Sequence, residues 1–466
     1  MFSQESRYYY RKLIRLAVPV SLGQVGHMMT NVADTVMVGK LGTIELAGVT
    51  LANNVFVFLF IFGLGLSGGL TPLVGKAFGE KNLEKCRNLM QQGLLFNICS
   101  GVLFTVLNLG MVVFMPHMGQ EEGVVNVAIP YYYLISLSLL PVLAFAGLKQ
   151  FLEGMGQTIA PMVISLVGNL LNIFLNWVFI FGHFGVEPMG VPGAGLATLI
   201  ARCGMFISLA LYLYYNKELR PFYAGMRRFR PNWPVLGEIG RIGLPVGLQY
   251  FMEVAAFAIG AIMMGWLGAV PLSAHQIAIS LAAITFLAAS GIGTASTIMV
   301  SNFHGQHRYE ELRKTGHSAF RLVLVFMGLT AITFAILRNW LPRLFVNDPE
   351  VAAIASGLLI IAALFQLSDG LQMVTISTLR GLADVHIPMW IAMVAYWVIA
   401  LPCSYLFAFV LDFGPPGIWY GYLTGLTAAA AAMFWRFEVL TKRLIRLNNA
   451  NSGSVQSGTS LSPERR

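Results

Sequence analysis

Charged side chains are scarce in this chain. Only 11% of its 466 residues are Asp, Glu, Lys or Arg, whereas 56% are hydrophobic. Because soluble domains carry about 25% charged residues, this composition excludes an ordinary soluble enzyme and predicts a polytopic membrane protein. The net charge of +9 does not indicate a nucleic-acid partner. The basic residues fall in short loops and tails between apolar runs, which is the pattern of membrane topology.

Cysteine pairs and the common catalytic motifs are also missing. The four cysteines show no CxxC or ligand-like spacing, so neither a disulfide framework nor a zinc site is predicted. The patterns GxxxxGK[ST], HExxH and GxSxG do not occur. The sequence therefore shows no ATPase module, no zinc-protease helix and no hydrolase nucleophile elbow. We expect no cofactor and no enzymatic activity, and the energy for any transport would come from a Na⁺ or H⁺ gradient.

Long apolar runs make up most of the chain. A run of about 20 apolar residues is long enough to cross a bilayer as a helix. We expect an all-α membrane protein with twelve transmembrane helices, at residues 13–38, 46–75, 89–115, 128–148, 158–182, 191–215, 240–265, 272–301, 317–340, 351–378, 387–411 and 415–441.

The basic residues predict the orientation of these spans. Of the 30 Lys and Arg residues, 25 fall in the two tails and in the loops on the same side of the membrane as the tails. Lys149 and Arg380 are counted among these loop residues. The positive-inside rule then places both termini in the cytoplasm. Arg202 lies deep within the sixth span, where we expect it to be a structural partner.

Matched Pro and Gly positions show that the chain is a duplication. At a constant offset of 226 or 227 residues, the following pairs match: Pro19 with Pro245, Gly65 with Gly291, Gly79 with Gly305, and Gly154 with Gly381. Each repeat has six spans, an even number, so both insert in the same orientation. We therefore expect two six-helix lobes related by a pseudo-two-fold axis along the membrane normal, with substrate bound between them.

The domain boundaries follow from this duplication. We expect an N-lobe (helices 1–6) at residues 1–215 and a basic cytoplasmic linker at 216–238. The C-lobe (helices 7–12) is expected at 239–445, and a disordered cytoplasmic tail rich in Ser, Gly and Asn at 446–466.

Three solitary acids stand out against this apolar background. Asp34, Glu253 and Asp369 are each the only charged residue on a long apolar stretch. A carboxylate at membrane depth is costly unless it faces protein, water or a cation, so such residues are functional candidates. The acids do not follow the duplication, because none of them has an acid at the matching position of the other repeat. This favours function over scaffolding.

Glu253 and Asp369 lie at similar depth in the second half. Two buried carboxylates repel each other, and a shared proton or a Na⁺ ion would relieve that repulsion. The alternative is a pair of protonated core acids that hydrogen-bond helices together.

The first half offers a second candidate cation site. Asn169, Asn172 and Asn176 recur at the spacing of one helix face, and Thr198 lies on the next span. Together with Asp34 they supply carboxylate, amide and hydroxyl oxygens, the ligands that a hard cation such as Na⁺ prefers. The alternative is polar contact between membrane helices, for which Asn and Thr are often used.

Polar residues of the second half predict a substrate cavity. We expect its wall to include Gln249, Tyr250, His275, Gln276 and Gln366. Each of these alone is more typical of a hydrogen bond between helices. The 22 Met and 32 Phe residues provide adaptable apolar surface that suits varied ligands.

Three segments carry a resemblance to a known family. They are Asn31 to Gly39 after Pro19, Gly243 to Glu253, and Asp369 to Gln372 followed by Arg380-Gly381. In these segments the chain resembles the multidrug and toxic compound extrusion (MATE) transporters of the bacterial NorM-like kind, over roughly residues 10–445. Some members have Asp where this chain has Asn176, which weakens the case for proton switching there.

The resemblance implies a twelve-helix, two-lobe antiporter that exports cationic, aromatic compounds in exchange for Na⁺ or H⁺. It implies that Glu253 and Asp369 form the C-lobe cation site, and that Asp34, Asn172, Asn176 and Thr198 form the N-lobe site. The expected partners are a small-molecule substrate and membrane lipid, with no nucleic acid. The expected setting is the bacterial inner membrane, with the protein acting as a monomer.

Two other functions remain open at this point. A flippase for lipid-linked oligosaccharides would need basic residues in the cavity to hold a pyrophosphate, and Arg202 is the candidate. A receptor or scaffold without transport would leave the duplication and the solitary acids unexplained. An intramembrane enzyme is disfavoured because no nucleophile–base pair or metal set is present.

Overall fold

The computed structural model describes residues 4–223 and 230–458, and these residues contain helices and turns but no strand. Twelve long helical units, named α1 to α12 in chain order, account for most of them. They are Gln4–Gly39, Thr43–Gly79, Leu83–His117, Glu122–Gly154, Ile159–Phe181, Val191–Tyr215, Trp233–Trp266, Ala269–Gly305, Tyr309–Leu337, Pro349–Gly381, His386–Val410 and Pro415–Gly458. The prediction of an all-α fold with twelve spanning helices in two lobes is confirmed.

Ten of the twelve units, α2 to α11, are apolar and long enough to cross a membrane. The other two, α1 and α12, contain more polar residues, and the location of each helix explains why. α1 carries Gln24, His27, Asn31 and Asp34, which line the central cavity described below. α12 packs through Ala, Gly and aromatic residues against α10 and α11. Its far half carries Lys442, Arg443 and Arg446.

Several helices start at residues that cap them. The side chain of Asn82 accepts a hydrogen bond from the Lys85 backbone N–H at 2.9 Å, and Asp348 accepts one from the Glu350 N–H at 2.8 Å. Such caps satisfy backbone donors that the first helical turn leaves free. Their positions at α3 and α10 explain why these helices begin a few residues before the apolar run.

Close backbone contacts confirm the two-fold relation between the lobes. Gly65 of α2 lies against Gly247 of α7, so that a Cβ on Gly65 would come within 2.7 Å of the Gly247 Cα. In the other repeat, Gly291 of α8 lies against Ser21 and Ala17 of α1. Gly291 and Ser21 are the counterparts of Gly65 and Gly247 at the offset of 226. The α1–α8 and α2–α7 contacts are therefore two copies of one interface.

A third close contact lies on the axis itself. At the ends of α2 and α8, Gly75 packs against Ser301, Gly79 against Asn302, and Gly305 against Lys76. Gly75 and Ser301 are counterparts of each other at the offset of 226. The Gly79–Asn302 pair is the counterpart of the Gly305–Lys76 pair at the same offset. We call this crossing the seam. It lies on the side of the molecule that holds the start of α1, the far end of α12 and the α2–α3 and α8–α9 turns, which we call the basic side.

The lobes separate away from the basic side. The first half of α1, with Tyr9, Leu13 and Ala17, is buried in the core of the C-lobe. Its far end, at Val38, is buried in the core of the N-lobe. α7 repeats this arrangement, since Val246 belongs to an N-lobe core and Met263 to the C-lobe core. The two lobes thus share helices near the basic side and diverge toward the opposite side.

Two predicted boundaries differ from the structure. α7 begins at Trp233, within the predicted linker 216–238, and a short helix, Arg220–Tyr223, occupies part of its first half. Residues 224–229 lie outside the described residues. The predicted tail at 446–466 is helical as far as Gly458, because α12 continues past its apolar section, and residues 459–466 are not described. Composition alone does not reveal where a helix ends beyond the membrane.

Candidate functional site

A central cavity of about 590 Å³ lies between the lobes. Helices of both lobes contribute to its wall, among them α1, α2 and α4 to α6 from the first and α7, α8 and α10 from the second. Much of the wall is apolar, with Phe60, Phe145, Phe257, Phe286 and Phe365 among its residues. Ligand sites of this kind combine apolar walls with a few polar groups that orient the ligand.

The acids of the C-lobe come together in this wall. Glu253 on α7 and Asp369 on α10 both line the cavity, and their charges are close enough to interact. Asp369 has only 4% of its surface exposed. Neither acid forms an ion pair with a basic side chain in the described part of the chain. The charge of Arg380 acts on Glu253 without forming an ion pair with it. Two neighbouring carboxylates outside any ion pair are a favourable site for a proton or a cation.

Tyr396 is a member of this site that sequence reasoning missed. It is 2% exposed, and its hydroxyl lies near Glu253, Asp369 and Gln372. Tyr396 belongs to a π-helical segment of α11, Val394–Ala400. Such wide turns are frequent at functional sites. The available signal was Pro402, because a proline leaves the carbonyl four residues earlier without its helical hydrogen bond.

The N-lobe acid lies in a network of amides. Asn176 donates a short hydrogen bond to Asp34 Oδ1. In the orientation of the Asn172 amide that satisfies both of its neighbours, its nitrogen donates to Asp34 Oδ1 at 3.0 Å and its oxygen accepts from Thr198 Oγ1 at 3.3 Å. The structure therefore brings Asp34, Asn172, Asn176 and Thr198 together, as the spacing on α5 predicted.

Two amide atoms of this network face no partner in the described residues. They are Oδ1 of Asn176, which is fully buried, and Nδ2 of Asn169, which is 5% exposed. Buried polar atoms are rarely left unpaired in folded proteins. An oxygen of this kind beside the Asp34 carboxylate is a suitable ligand for a hard cation. The described residues contain no group of three or more His, Cys, Asp or Glu that could hold a metal ion.

The predicted cavity residues are distributed unevenly. Tyr250 lines the cavity. Gln249 is buried at 4% exposure outside the wall, and Gln276 is exposed on the outer face of α8. His275 accepts a hydrogen bond from Trp419 Nε1 at 3.2 Å, and Gln366 accepts one from Thr330 Oγ1 at 2.5 Å. These last two lie within the helix packing of the C-lobe, where the sequence could not indicate the rotation of each helix about its axis.

Basic residues also line the cavity. Lys149 pairs with Glu153 at 3.8 Å, and Arg202 donates to Ser138 Oγ at 2.7 Å with its guanidinium over the rings of Phe56 and Phe60. Arg380 lies over the ring of Tyr250. The prediction that Lys149 and Arg380 are loop residues is wrong, because α4 and α10 continue past their apolar runs and carry both side chains into the cavity wall.

Comparison with known proteins identifies the family. The family model of MatE matches residues 19–178 and 245–406, one segment in each lobe. This chain belongs to the MatE family. The resemblance noted from the sequence is thereby confirmed, and the two matched segments correspond to the two halves of the duplication.

Relatives of this MatE protein match it over nearly its whole length. A probable multidrug resistance protein NorM from Rhizobium meliloti is 33% identical over 442 residues, covering 94% of each chain. A multidrug resistance protein MdtK from Yersinia enterocolitica is 31% identical and covers 93% of this chain and 96% of its own. Among solved structures, an outward-facing multidrug resistance MATE transporter superposes with a TM-score of 0.88 at 21% identity, over 96% of this chain and 100% of the other. That likeness shows the shared fold.

Proposed function

We propose that this protein is a secondary active multidrug transporter that exports cationic, aromatic compounds in exchange for Na⁺ or H⁺. The names of its NorM and MdtK relatives support the multidrug assignment. The observation that carries the coupling is the pair Glu253 and Asp369, two neighbouring carboxylates in a cavity between two lobes that form no ion pair with any described basic residue. Such a pair gains stability when a cation binds.

Coupling requires that the cation and the substrate prefer different conformations. A cation bound at the acids stabilises one arrangement of the lobes, and a substrate in the apolar cavity stabilises the other. The cationic group of a substrate competes with the coupling ion for the same carboxylates. Its aromatic part fits the phenylalanine-rich wall. The coupling ion moving down its gradient replaces the substrate at these carboxylates, and this exchange drives export of the substrate.

The seam supplies the conformational element. With the basic side in the cytoplasm, as the distribution of Lys and Arg favours, the seam closes the cavity on the cytoplasmic side. The diverging lobes open it toward the outside. Transport then requires the lobes to rotate about their shared interface, so that the seam opens and the opposite ends of α1 and α7 approach. We place the protein in the bacterial inner membrane, in contact with lipid and active as a monomer.

The flippase alternative would use the basic residues of the cavity. Lys149 is neutralised by Glu153, Arg202 is held against the rings of Phe56 and Phe60, and Arg380 is held against the ring of Tyr250. The same cavity holds the acids Asp34, Glu253 and Asp369, which would repel a pyrophosphate. The charge of the cavity therefore favours the export of cations.

Efflux from reconstituted liposomes tests the proposal. Proteoliposomes loaded with a cationic fluorescent dye are exposed separately to a Na⁺ gradient and to a pH gradient. We expect one gradient to accelerate dye release above that from protein-free liposomes, and the active gradient identifies the coupling ion. Release that matches protein-free liposomes under both gradients would refute ion-coupled export and favour a receptor or scaffold.

A further inference from the structure

The duplication repeats one positive charge on the outer surface of the two helices that the lobes share. Arg15 on α1 and Arg241 on α7 are counterparts at the offset of 226, and both side chains are exposed. The acids of the cavity have no such counterparts. A partner that meets both lobes in the same way, from outside the cavity, would explain a charge that is repeated at the same place.

The surroundings of the two arginines match on both faces of the helix. On the inner face, Leu13 and Ile239 are fully buried at matching positions, two residues before each arginine. On the outer face, Val18 and Leu244 are 49% and 55% exposed, three residues after each arginine. Residues three apart are neighbours on one face of an α-helix. Each arginine therefore lies one turn nearer the basic side than an exposed apolar side chain.

Both arginines lie at the edge of the membrane. They stand at the start of the apolar runs of α1 and α7. At about 1.5 Å per residue, the helix from Arg15 to Gly39 is about 36 Å long, and the helix from Arg241 to Trp266 is of similar length. The hydrocarbon core of a bilayer is about 30 Å thick. The guanidinium groups are thereby placed at the level of the lipid phosphates in the leaflet on the basic side.

The chain itself does not neutralise either arginine. Among the described residues, no carboxylate forms an ion pair with Arg15 or Arg241, and neither side chain makes a hydrogen bond. By contrast, the exposed Arg308 between α8 and α9 pairs with Glu311. A guanidinium can donate two parallel hydrogen bonds to a phosphate. The donors of Arg15 and Arg241 are available for such a contact.

We propose that Arg15 and Arg241 each bind the phosphate of an anionic phospholipid in the leaflet on the basic side. The acyl chains of the bound lipid lie along the exposed apolar residues Val18 and Leu244. These two sites are on the outer surface of the protein, so they do not depend on what passes through the cavity.

The two lipid sites differ in the charge around them. One turn before Arg15 lies the exposed Arg11, whose counterpart on α7 is Gly237. Lys12 has the exposed Glu238 as its counterpart. The α1 site is therefore surrounded by further positive charge, whereas the α7 site has a carboxylate nearby. An anionic lipid should bind more tightly at α1 than at α7.

Native mass spectrometry of the purified protein in detergent tests the inference. The probes are phosphatidylglycerol, which is anionic, and phosphatidylethanolamine with the same acyl chains, which is zwitterionic. We expect the wild type to bind two phosphatidylglycerol molecules in preference to phosphatidylethanolamine. Arg15→Gln should weaken the tighter site by about fivefold, the factor for one basic residue at a membrane surface. Arg241→Gln should weaken the other site by a similar factor, and the double variant should lose most of the preference.

Arg308→Gln is the matched control, because it removes an exposed arginine that already has a carboxylate partner. It should change the affinity for either lipid by less than about twofold. Equal weakening of phosphatidylglycerol binding by Arg308→Gln and Arg15→Gln would show an effect of net charge alone and overturn the inference. Equal binding of the two lipids to the wild type would also overturn it.

A soluble headgroup separates a lipid site from a simple anion site. Glycerol phosphate has the phosphate of phosphatidylglycerol but no acyl chains, and it should not displace the bound lipid at about tenfold excess. Displacement at that excess would overturn the assignment to lipid. None of these results alters the dye-efflux test, so a failure here leaves the proposed function standing.

Discussion

The two lobes share one backbone arrangement but stabilise their buried carboxylates in different ways. In the N-lobe, the amides of Asn172 and Asn176 donate to a single carboxylate, Asp34. In the C-lobe, Glu253 and Asp369 lie close enough for their charges to interact, near the Tyr396 hydroxyl, and form no ion pair with any described basic residue. Hydrogen-bond donors stabilise a single carboxylate on their own, whereas two adjacent carboxylates need a proton or a cation.

This difference separates what the duplication preserved from what it did not. Contacts that depend on backbone shape, such as Gly65 on Gly247 and Gly291 on Ser21, occur in both copies. The acids occur in one copy each. We therefore expect substitutions in the shared scaffold to have equal effects in the two lobes, and substitutions of the acids to have unequal effects.

The largest effect is expected at the C-lobe acids. Glu253→Gln and Asp369→Asn should each slow gradient-driven dye efflux from proteoliposomes by about fivefold to 150-fold, the range spanned by a coupling free energy of about 1–3 kcal/mol. The physical reason is that a single remaining carboxylate no longer requires a cation. Asp34→Asn should slow efflux less, because amide donors already stabilise that carboxylate.

Two neutral controls accompany these variants. Glu122→Gln removes an exposed acid at the start of α4, and Gln276→Ala removes an exposed polar side chain on α8, and both should leave the efflux rate unchanged. Equal losses for Asp34→Asn and Asp369→Asn would show that the lobes do not differ in the way described. Undiminished efflux with Glu253→Gln and Asp369→Asn would remove both residues from the coupling mechanism.

A second, smaller effect is expected at the seam. An added Cβ at Gly79 would overlap the backbone of Asn302, and one at Gly305 would overlap the backbone of Lys76. Gly79→Ala and Gly305→Ala should each weaken the closed seam by about 1–3 kcal/mol. Hydrogen exchange of the amides in 70–83 and 300–309 should then accelerate by about fivefold or more, and the two variants should agree within about twofold.

Gly110→Ala is the matched control, because a Cβ at Gly110 meets no atom within contact distance. Its only expected effect is the small gain in helix propensity of Ala over Gly. A large difference between Gly79→Ala and Gly305→Ala would contradict the two-fold equivalence of the seam. Unchanged hydrogen exchange in both variants would show that the seam accommodates an added methyl group.

The smallest effect is expected when the N-lobe is made to resemble the C-lobe. Asn176→Asp places a second carboxylate beside Asp34, and the pair should then gain affinity for Na⁺. We expect raising the Na⁺ concentration to increase the Tm of this variant by a few degrees more than that of the wild type, because a ligand stabilises the state that it binds. Adding Asp34→Asn should abolish the extra increase. Identical Na⁺ responses of wild type and variant would argue against a cation site here.

Much of the fold follows from the sequence because the membrane imposes it. The lengths of the apolar runs predict the twelve helices, and the matched Pro and Gly residues predict two equivalent lobes. The solitary acids are equally visible, because a charge within an apolar span has few structural explanations. The spacing of Asn169, Asn172 and Asn176 on α5 also predicts one face, and the structure places two of these amides around Asp34 and Thr198.

The rest depends on rotations and lengths that composition does not encode. His275 and Gln366 are polar residues on apolar helices, yet their side chains contact neighbouring helices rather than the cavity. The sequence predicts loops at Lys149 and Arg380 because the apolar runs end before them, whereas the helices continue to Gly154 and Gly381. The orientation of Tyr396 depends on a π-helical turn, and the one signal of that turn in the sequence is Pro402. In each case the deciding factor is tertiary packing.

At Gly75, Gly79 and Gly305, α2 and α8 approach so closely that an added Cβ would overlap the other helix, which leaves no room for a water molecule at these contact points. Protons cross a membrane protein along files of water molecules, so a dry crossing blocks their passage. If the acids bind an ion from one face of the bilayer, as the proposed antiport requires, these contacts insulate them from the other face. Under the proposed antiport, the resting protein should therefore not dissipate the ion gradient.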